Sequence, residues 1–217
     1  MKRLAILTGI VFLTSCAFTP PSDYDPGPGA RYLTASWYGQ DFHGRPTSSG
    51  ERYDMYGFTA AHKTMKFGTR LRVTNPANNK SVDVTVNDRG PFIWGRDLDL
   101  SYGAARQIGF AEIGVGKVKI QHLGRDMRYA KRVPFEPYVT SSPLTVQVGS
   151  FIEELNALRL KKGLEFEYNN VFVTTVFLKG RKYHRVRIGE FSSYDSAYVF
   201  AQKLADEGYS TLIMTKD

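Results

Sequence analysis

Two short stretches, VQVGSF (146–151) and VRIGEF (186–191), are near copies of each other, and each opens a strand-then-helix run. In the first run, LTVQVGSF has the period-two alternation of a half-buried strand. EELNALRLKKGL follows as an amphipathic helix with Leu155, Leu158 and Leu160 as its apolar residues. VFVTTVFL is a second strand and KYHRVRIGEF a third. SYDSAYVFAQKLADEG is a helix capped near Ser193 and stopped by Gly208, and STLIMT is a last strand. The order β-α-β-β-α-β over residues 143–217 is the ferredoxin-like split unit. Two helices cover one face of such a sheet and leave the other open. Parity puts Val146, Val148, Val186 and Ile188 beneath the helices and Gln147, Tyr183, Arg185 and Arg187 on the open face. Amide, phenol and guanidinium groups hydrogen-bond to sugars and stack on them. The same topology serves RNA-binding domains, but the aromatic pair that stacks bases there is absent.

The stretch 31–124 has a different texture. YLTASWY, GFTAAH, TRLRVTN, SVDVTVN and VGKVKIQHL are short strands separated by Asn, Pro, Gly and Lys clusters such as NPANNK. One helix interrupts them, with Ser101 as N-cap and Gly109 as stop. Many short strands with one short helix predict a small β-barrel. Residues 125–142 are polar and basic, with prolines at 134 and 137, and read as a linker. The fold class expected is therefore mainly β plus α+β.

The N-terminus bounds where such a chain works. Met1-Lys2-Arg3 precedes an apolar run of ten residues, Leu4 to Leu13. That is too short to span a bilayer and suits the apolar region of a signal peptide. Leu13-Thr14-Ser15-Cys16 follows, and Cys16 is the only cysteine of the chain. This resembles the bacterial lipoprotein signal, which implies residues 1–15 as signal peptide and lipidation of Cys16. Ala17 in place of the Asp that retains lipoproteins at the inner membrane implies the outer membrane, facing the periplasm. Residues 16–30, with four prolines, read as an extended tether. The formal charge of +8 falls to +6, 27 basic against 21 acidic residues, once Lys2 and Arg3 leave. A basic balance suits a polyanionic partner, and outside the cytoplasm that partner is cell-wall polymer or membrane rather than nucleic acid.

The candidate chemistry gathers around VTVNDRGPF (84–92). Val82, Val84 and Val86 alternate with polar residues until Asn87, Asp88, Gly90 and Pro91 end the strand. Parity places Asp88 on the side of the valines, where desolvation raises a carboxyl's pKa as a general acid needs. It places Arg89 on the opposite side, as a structural or substrate-gripping base. The alternative for Asp88 is an Asx-type turn cap at the Gly90-Pro91 corner. Glu51, after Ser49-Gly50, is a second carboxyl and His62 a third polar candidate. His62 either orients a carboxylate or a sugar hydroxyl, or is merely a satisfied histidine. Tyr38, Phe42, Tyr53 and Trp94 are aromatic enough to line a sugar cleft. The His, Asp and Glu residues have no metal-ligand spacing, so neither metal nor cofactor is expected.

Two resemblances bear on these residues. LTVQVGSF…RKYHRVRIGEF with its helices is similar to the SPOR domain, whose members bind peptidoglycan glycan strands stripped of stem peptides. ASWYG, GERYD, TAAH, FGT, NDRGPF and DLS, in that order, resemble the rare lipoprotein A family, with a six-stranded double-psi β-barrel core. Met65-Lys66 departs from the family's usual Leu-Pro before Phe67-Gly68-Thr69. The resemblance implies an endolytic transglycosylase that cuts between N-acetylmuramic acid and N-acetylglucosamine to leave 1,6-anhydro ends, at septal denuded glycan during cell separation. It implies Glu51 across the cleft from Asp88, as proton carrier or as stabiliser of an oxocarbenium-like transition state. A non-catalytic, expansin-like wall-binding protein is the alternative, and a hydrolase using water is a third reading.

Overall fold

The structure is a computed structural model describing residues 31–133 and 143–216. The expected signal peptide, Cys16, the tether and residues 134–142 of the expected linker lie outside these.

Six strands close a barrel: β1 (Arg31–Tyr38), β2 (Thr59–His62), β3 (Thr69–Thr74), β4 (Ser81–Asp88), β5 (Leu98–Ser101) and β6 (Gly116–Arg125). Their order around it is β1-β5-β2-β4-β3-β6. The β1–β5 and β2–β4 pairs are parallel and the other four antiparallel. Leu71, Val73, Val84, Val86, Leu98 and Leu100 fill the interior, each buried apolar side chain contributing about 1.5–3 kcal/mol. Helix α1 (Tyr102–Gln107) starts where the Ser101 hydroxyl accepts from the Ala104 N–H, as the capping signal predicts. Strand β5 was not among the strands legible in the sequence, yet all four of its residues are buried and it joins β1 to β2.

The second domain is the βαββαβ unit: β7 (Leu144–Phe151), α2 (Glu154–Leu164), β8 (Val171–Leu178), β9 (Arg181–Phe191), α3 (Tyr194–Glu207) and β10 (Leu212–Thr215). The sheet order is β10-β7-β9-β8, with all pairs antiparallel. Val146, Val148, Val186 and Ile188 lie in its core with Leu160, Leu164, Ala201 and Leu204 from the helices. Two expectations need correction. The buried face of α2 is Asn156, Ala157, Leu160, Gly163 and Leu164, while Leu155 and Leu158 are 51% and 45% exposed. The helical period through Leu160 selects 157 and 164, and 155 and 158 fall outside that stripe. Arg187 is only 1% exposed rather than free on an open face, because it sits on the central strand between the cross-strand neighbours Gln147 and Phe172.

The domains interlock at the barrel rim. Phe67, between β2 and β3, is fully buried, but in the core of the second domain. Its N–H donates to Glu207 O, and its ring meets Tyr209 edge-on at 5.0 Å. Gly208, at φ 107°, stops α3 left-handed, and a side chain there would strike Phe67 Cβ at 2.8 Å.

Candidate active site

Strand β4 does not keep its alternation to the end. Ala60 pairs with Val86 but Ala61 with Asp88, so Asn87 is an extra residue in a bulge. Paired residues share a face. Asp88 therefore lies on the side of Ala61 and Asp99, away from the barrel interior that Ala60 and Val86 help fill. The parity argument fails at this one residue.

Burial reaches Asp88 by another route. The end of β1 brings Tyr38 to its pocket, the segment after it folds over to bring Phe42, Ser48 and Tyr53, and the second domain adds Asn156 and Arg159. Desolvation is the largest influence on the carboxyl and raises its pKa above the usual range. Hydrogen bonds from Ser48, then the Arg89 N–H and the Arg89 charge, oppose it. The Ser48 and Arg89 backbone N–H groups both donate to Asp88 Oδ1 at 2.8 Å. Tyr38 stacks on Tyr53 at 4.2 Å and meets Phe42 edge-on at 6.0 Å. Burial, then the negative charge of Asp88, holds the Tyr38 hydroxyl well above its ordinary range.

Glu51 is exposed and does not line this pocket. Its carboxylate accepts from Asn87 Nδ2 at 2.8 Å and from the Tyr129 hydroxyl at 2.8 Å to either oxygen. The bulged Asn87 thus holds one carboxylate while the next residue supplies the other. The backbone N–H groups of Thr64 and Met65 both donate to His62 Nδ1 at 3.1 Å, so Nε2 carries the hydrogen. Burial, then the Arg89 charge, pushes the His62 pKa down to about 3, and the ring is neutral at any pH near neutrality.

Arg89 needs the clearest correction, because it is not available to a ligand. It is 4% exposed; Nε donates to the Tyr209 hydroxyl at 2.6 Å and Nη1 to Met65 O at 2.9 Å. Its guanidinium lies 3.9 Å over the Phe67 ring. It clamps the two domains. Of the open-face candidates, Tyr183 lines a groove between the domains, and Gln147 and Arg185 are half-buried. Trp94 is 84% exposed and outside the pocket that gathers Tyr38, Phe42 and Tyr53. Sequence reasoning gave Asn87 only a turn role and did not name Ser48, Asn156 or Arg159 as site residues. Only Ser48 carried a signal, as a polar residue in a turn-rich run before Glu51.

A family model described as "Lytic transglycolase" matches residues 31–120, and one described as "SPOR domain" matches 140–215. Proteins named "Endolytic peptidoglycan transglycosylase RlpA" are similar along the chain. That of Vibrio cholerae is 36% identical over 177 residues, 82% of this chain and 65% of its own. The Neisseria meningitidis serogroup B protein is 40% identical over 167 residues, 75% of this chain and 66% of its own. The chain belongs to the rare lipoprotein A (RlpA) family. Its architecture is the RlpA double-psi β-barrel followed by a SPOR domain. The RlpA of Pseudomonas aeruginosa strain UCBPP-PA14 is 50% identical over 110 residues, 51% of this chain, and the chain spans only 32% of that protein's length. Among solved structures, apo expansin of Clavibacter michiganensis matches at TM-score 0.36 and 15% identity, over 86% of this chain and 90% of that one.

Proposed function

We propose that this RlpA-family protein is an endolytic peptidoglycan lytic transglycosylase with Asp88 as its acid and base. The observation that carries the reading is one desolvated carboxyl, Asp88, in a pocket whose other lining residues include no second acid. Hydrolysis by the ordinary two-carboxylate route needs a partner acid about 5–9.5 Å away. The second candidate, Glu51, is occupied by Asn87 and Tyr129. A single carboxyl suffices when the nucleophile belongs to the substrate. Neutral Asp88 gives its proton to the glycosidic oxygen as the bond to the anomeric carbon breaks. The carboxylate then takes the proton of the muramic acid 6-hydroxyl as that oxygen bonds to the same carbon. No water is consumed, and a 1,6-anhydro end remains. Tyr38 and Tyr53 supply the apolar wall that raises the carboxyl's pKa and so favours its protonated form, and Glu51 with Asn87 fixes the neighbouring loop.

The SPOR sheet, with Gln147, Tyr183 and Arg185, is the glycan-retaining surface of this proposal, and its ligand is the denuded strand at the septum. Cys16 anchors the protein to the outer membrane. The test is a digest of amidase-treated peptidoglycan by the chain from Ala17 onward. Anhydro ends that appear with the native chain and vanish with Asp88→Asn support the reading. Binding with no new ends overturns it in favour of a wall-binding protein.

A further inference from the structure

The cavity at Asp88 holds about 20 Å³, room for one water and far below the roughly 300–1,000 Å³ of a ligand site. Much of its roof belongs to the second domain: Phe151 at the end of β7, then Asn156 and Arg159 on α2. A groove of about 510 Å³ lies next to it between the domains. The two share Thr47, Ser48, Phe151 and Asn156 as walls, and Tyr183 of the sheet stands in the larger one. The groove has the volume of a ligand site and the space at the carboxyl does not.

The contacts that hold the two domains together near the cavity are of two kinds. Around Arg89 they are buried: Tyr209, Phe67, and Gly163 of α2, where a side chain would meet Arg89 Cβ at 2.9 Å. Over the cavity mouth they are half-buried to half-exposed. The Arg159 guanidinium lies 4.6 Å over the Phe42 ring, and Arg45 meets Glu153 at 4.0 Å with both side chains about half exposed. Partly exposed pairs of this kind are weaker than contacts in the buried clamp.

We propose that the start of α2 is a lid over Asp88, latched by Arg159 on Phe42 and Glu153 on Arg45, and opened by a saccharide strand seated in the adjoining groove. This rests on Asp88 being the acting carboxyl. The second domain then does more than retain glycan, since it keeps the barrel closed away from the wall. The experiment uses the whole chain from Ala17 and two variants, the latch-breaking Arg159→Ala/Glu153→Ala and the wedge Gly163→Leu. Asp88 is labelled with a water-soluble carbodiimide and an amine, located by peptide mass spectrometry, and initial cleavage rates are measured alongside. With about 1–2 kcal/mol held in the latch, labelling and cleavage both rise roughly 5–30-fold in the latch variant, and both rise in the wedge variant. Equal labelling in all three proteins overturns the lid. Faster labelling with slower cleavage also overturns it, since Arg159 would then belong to the catalytic machinery. If no protein cleaves, labelling alone decides the lid, and it is the transglycosylase reading that fails.

Discussion

Phe67→Ala separates the two domains' stabilities in a way that an ordinary core mutation does not. Phe67 belongs by sequence to the barrel, three residues before Arg70 of β3, but its ring is buried among Val146, Leu160, Ala201 and Tyr209. Truncating a fully buried Phe costs about 3–5 kcal/mol from lost burial and the cavity left behind. Losing the ring beneath a desolvated guanidinium adds to this, about 2 kcal/mol at the upper end. The loss falls on the second domain, because the barrel interior does not include Phe67. Native-state hydrogen exchange is the assay. Amides of β7 and β9 should exchange at least roughly a hundredfold faster in the variant, the equivalent of about 3 kcal/mol. Amides of β3 and β4 paired inside the barrel, such as Leu71 and Val84, should change far less. Both tryptophans, Trp37 and Trp94, lie in barrel sequence, so their fluorescence gives an independent reading of that domain. Loss of protection centred on β3 and β4, with β7 and β9 unchanged, would refute the interlocking described here.

Three further outcomes follow from the site. Asp88 has a raised folded pKa, so the native state holds its proton more tightly and stability falls as pH climbs from the unfolded value of about 3.9 through the folded one; Asp88→Asn should therefore raise Tm at pH 7 and much less at pH 4. His62 behaves oppositely, because its folded pKa of about 3 lies below 6.5: its contribution is complete above pH 6.5 and is lost as pH falls, by about 2 kcal/mol at pH 5, and His62→Gln should flatten that part of a Tm-against-pH curve. Gln147→Ala with Arg185→Ala should reduce pull-down on denuded glycan by about tenfold or more while the barrel's tryptophan emission stays native, and unchanged binding would show that the sheet face is not the glycan surface.

The sequence was most legible where a short-range period governs. The βαββαβ order, the Ser101 and Ser193 caps and the Gly208 stop are local signals, and the chain forms those elements. It was less legible where one residue breaks a period or a distant segment decides. LDLS is only four residues long, so the alternation of β5 was too short to register, although Leu98 and Leu100 are completely buried. The bulge at Asn87 reversed the side on which Asp88 stands, and nothing in VTVNDRG marks where a partner strand will skip a residue. Desolvation of Asp88 was anticipated for a reason that does not hold, since its cover comes from the 38–53 segment and α2 rather than the barrel interior. The Arg89–Tyr209 clamp spans 120 positions, and no periodicity reports a contact at that range.

The central claim is that Asp88 alone, with the sugar's own 6-hydroxyl, breaks the glycan strand. A digest of denuded glycan in heavy-oxygen water tests it most directly. The mechanism predicts products one water lighter than their hydrolytic counterparts, with no heavy oxygen at the new ends, and none of these products from Asp88→Asn. Heavy oxygen incorporated at a new reducing end would show that water is the nucleophile and would contradict it.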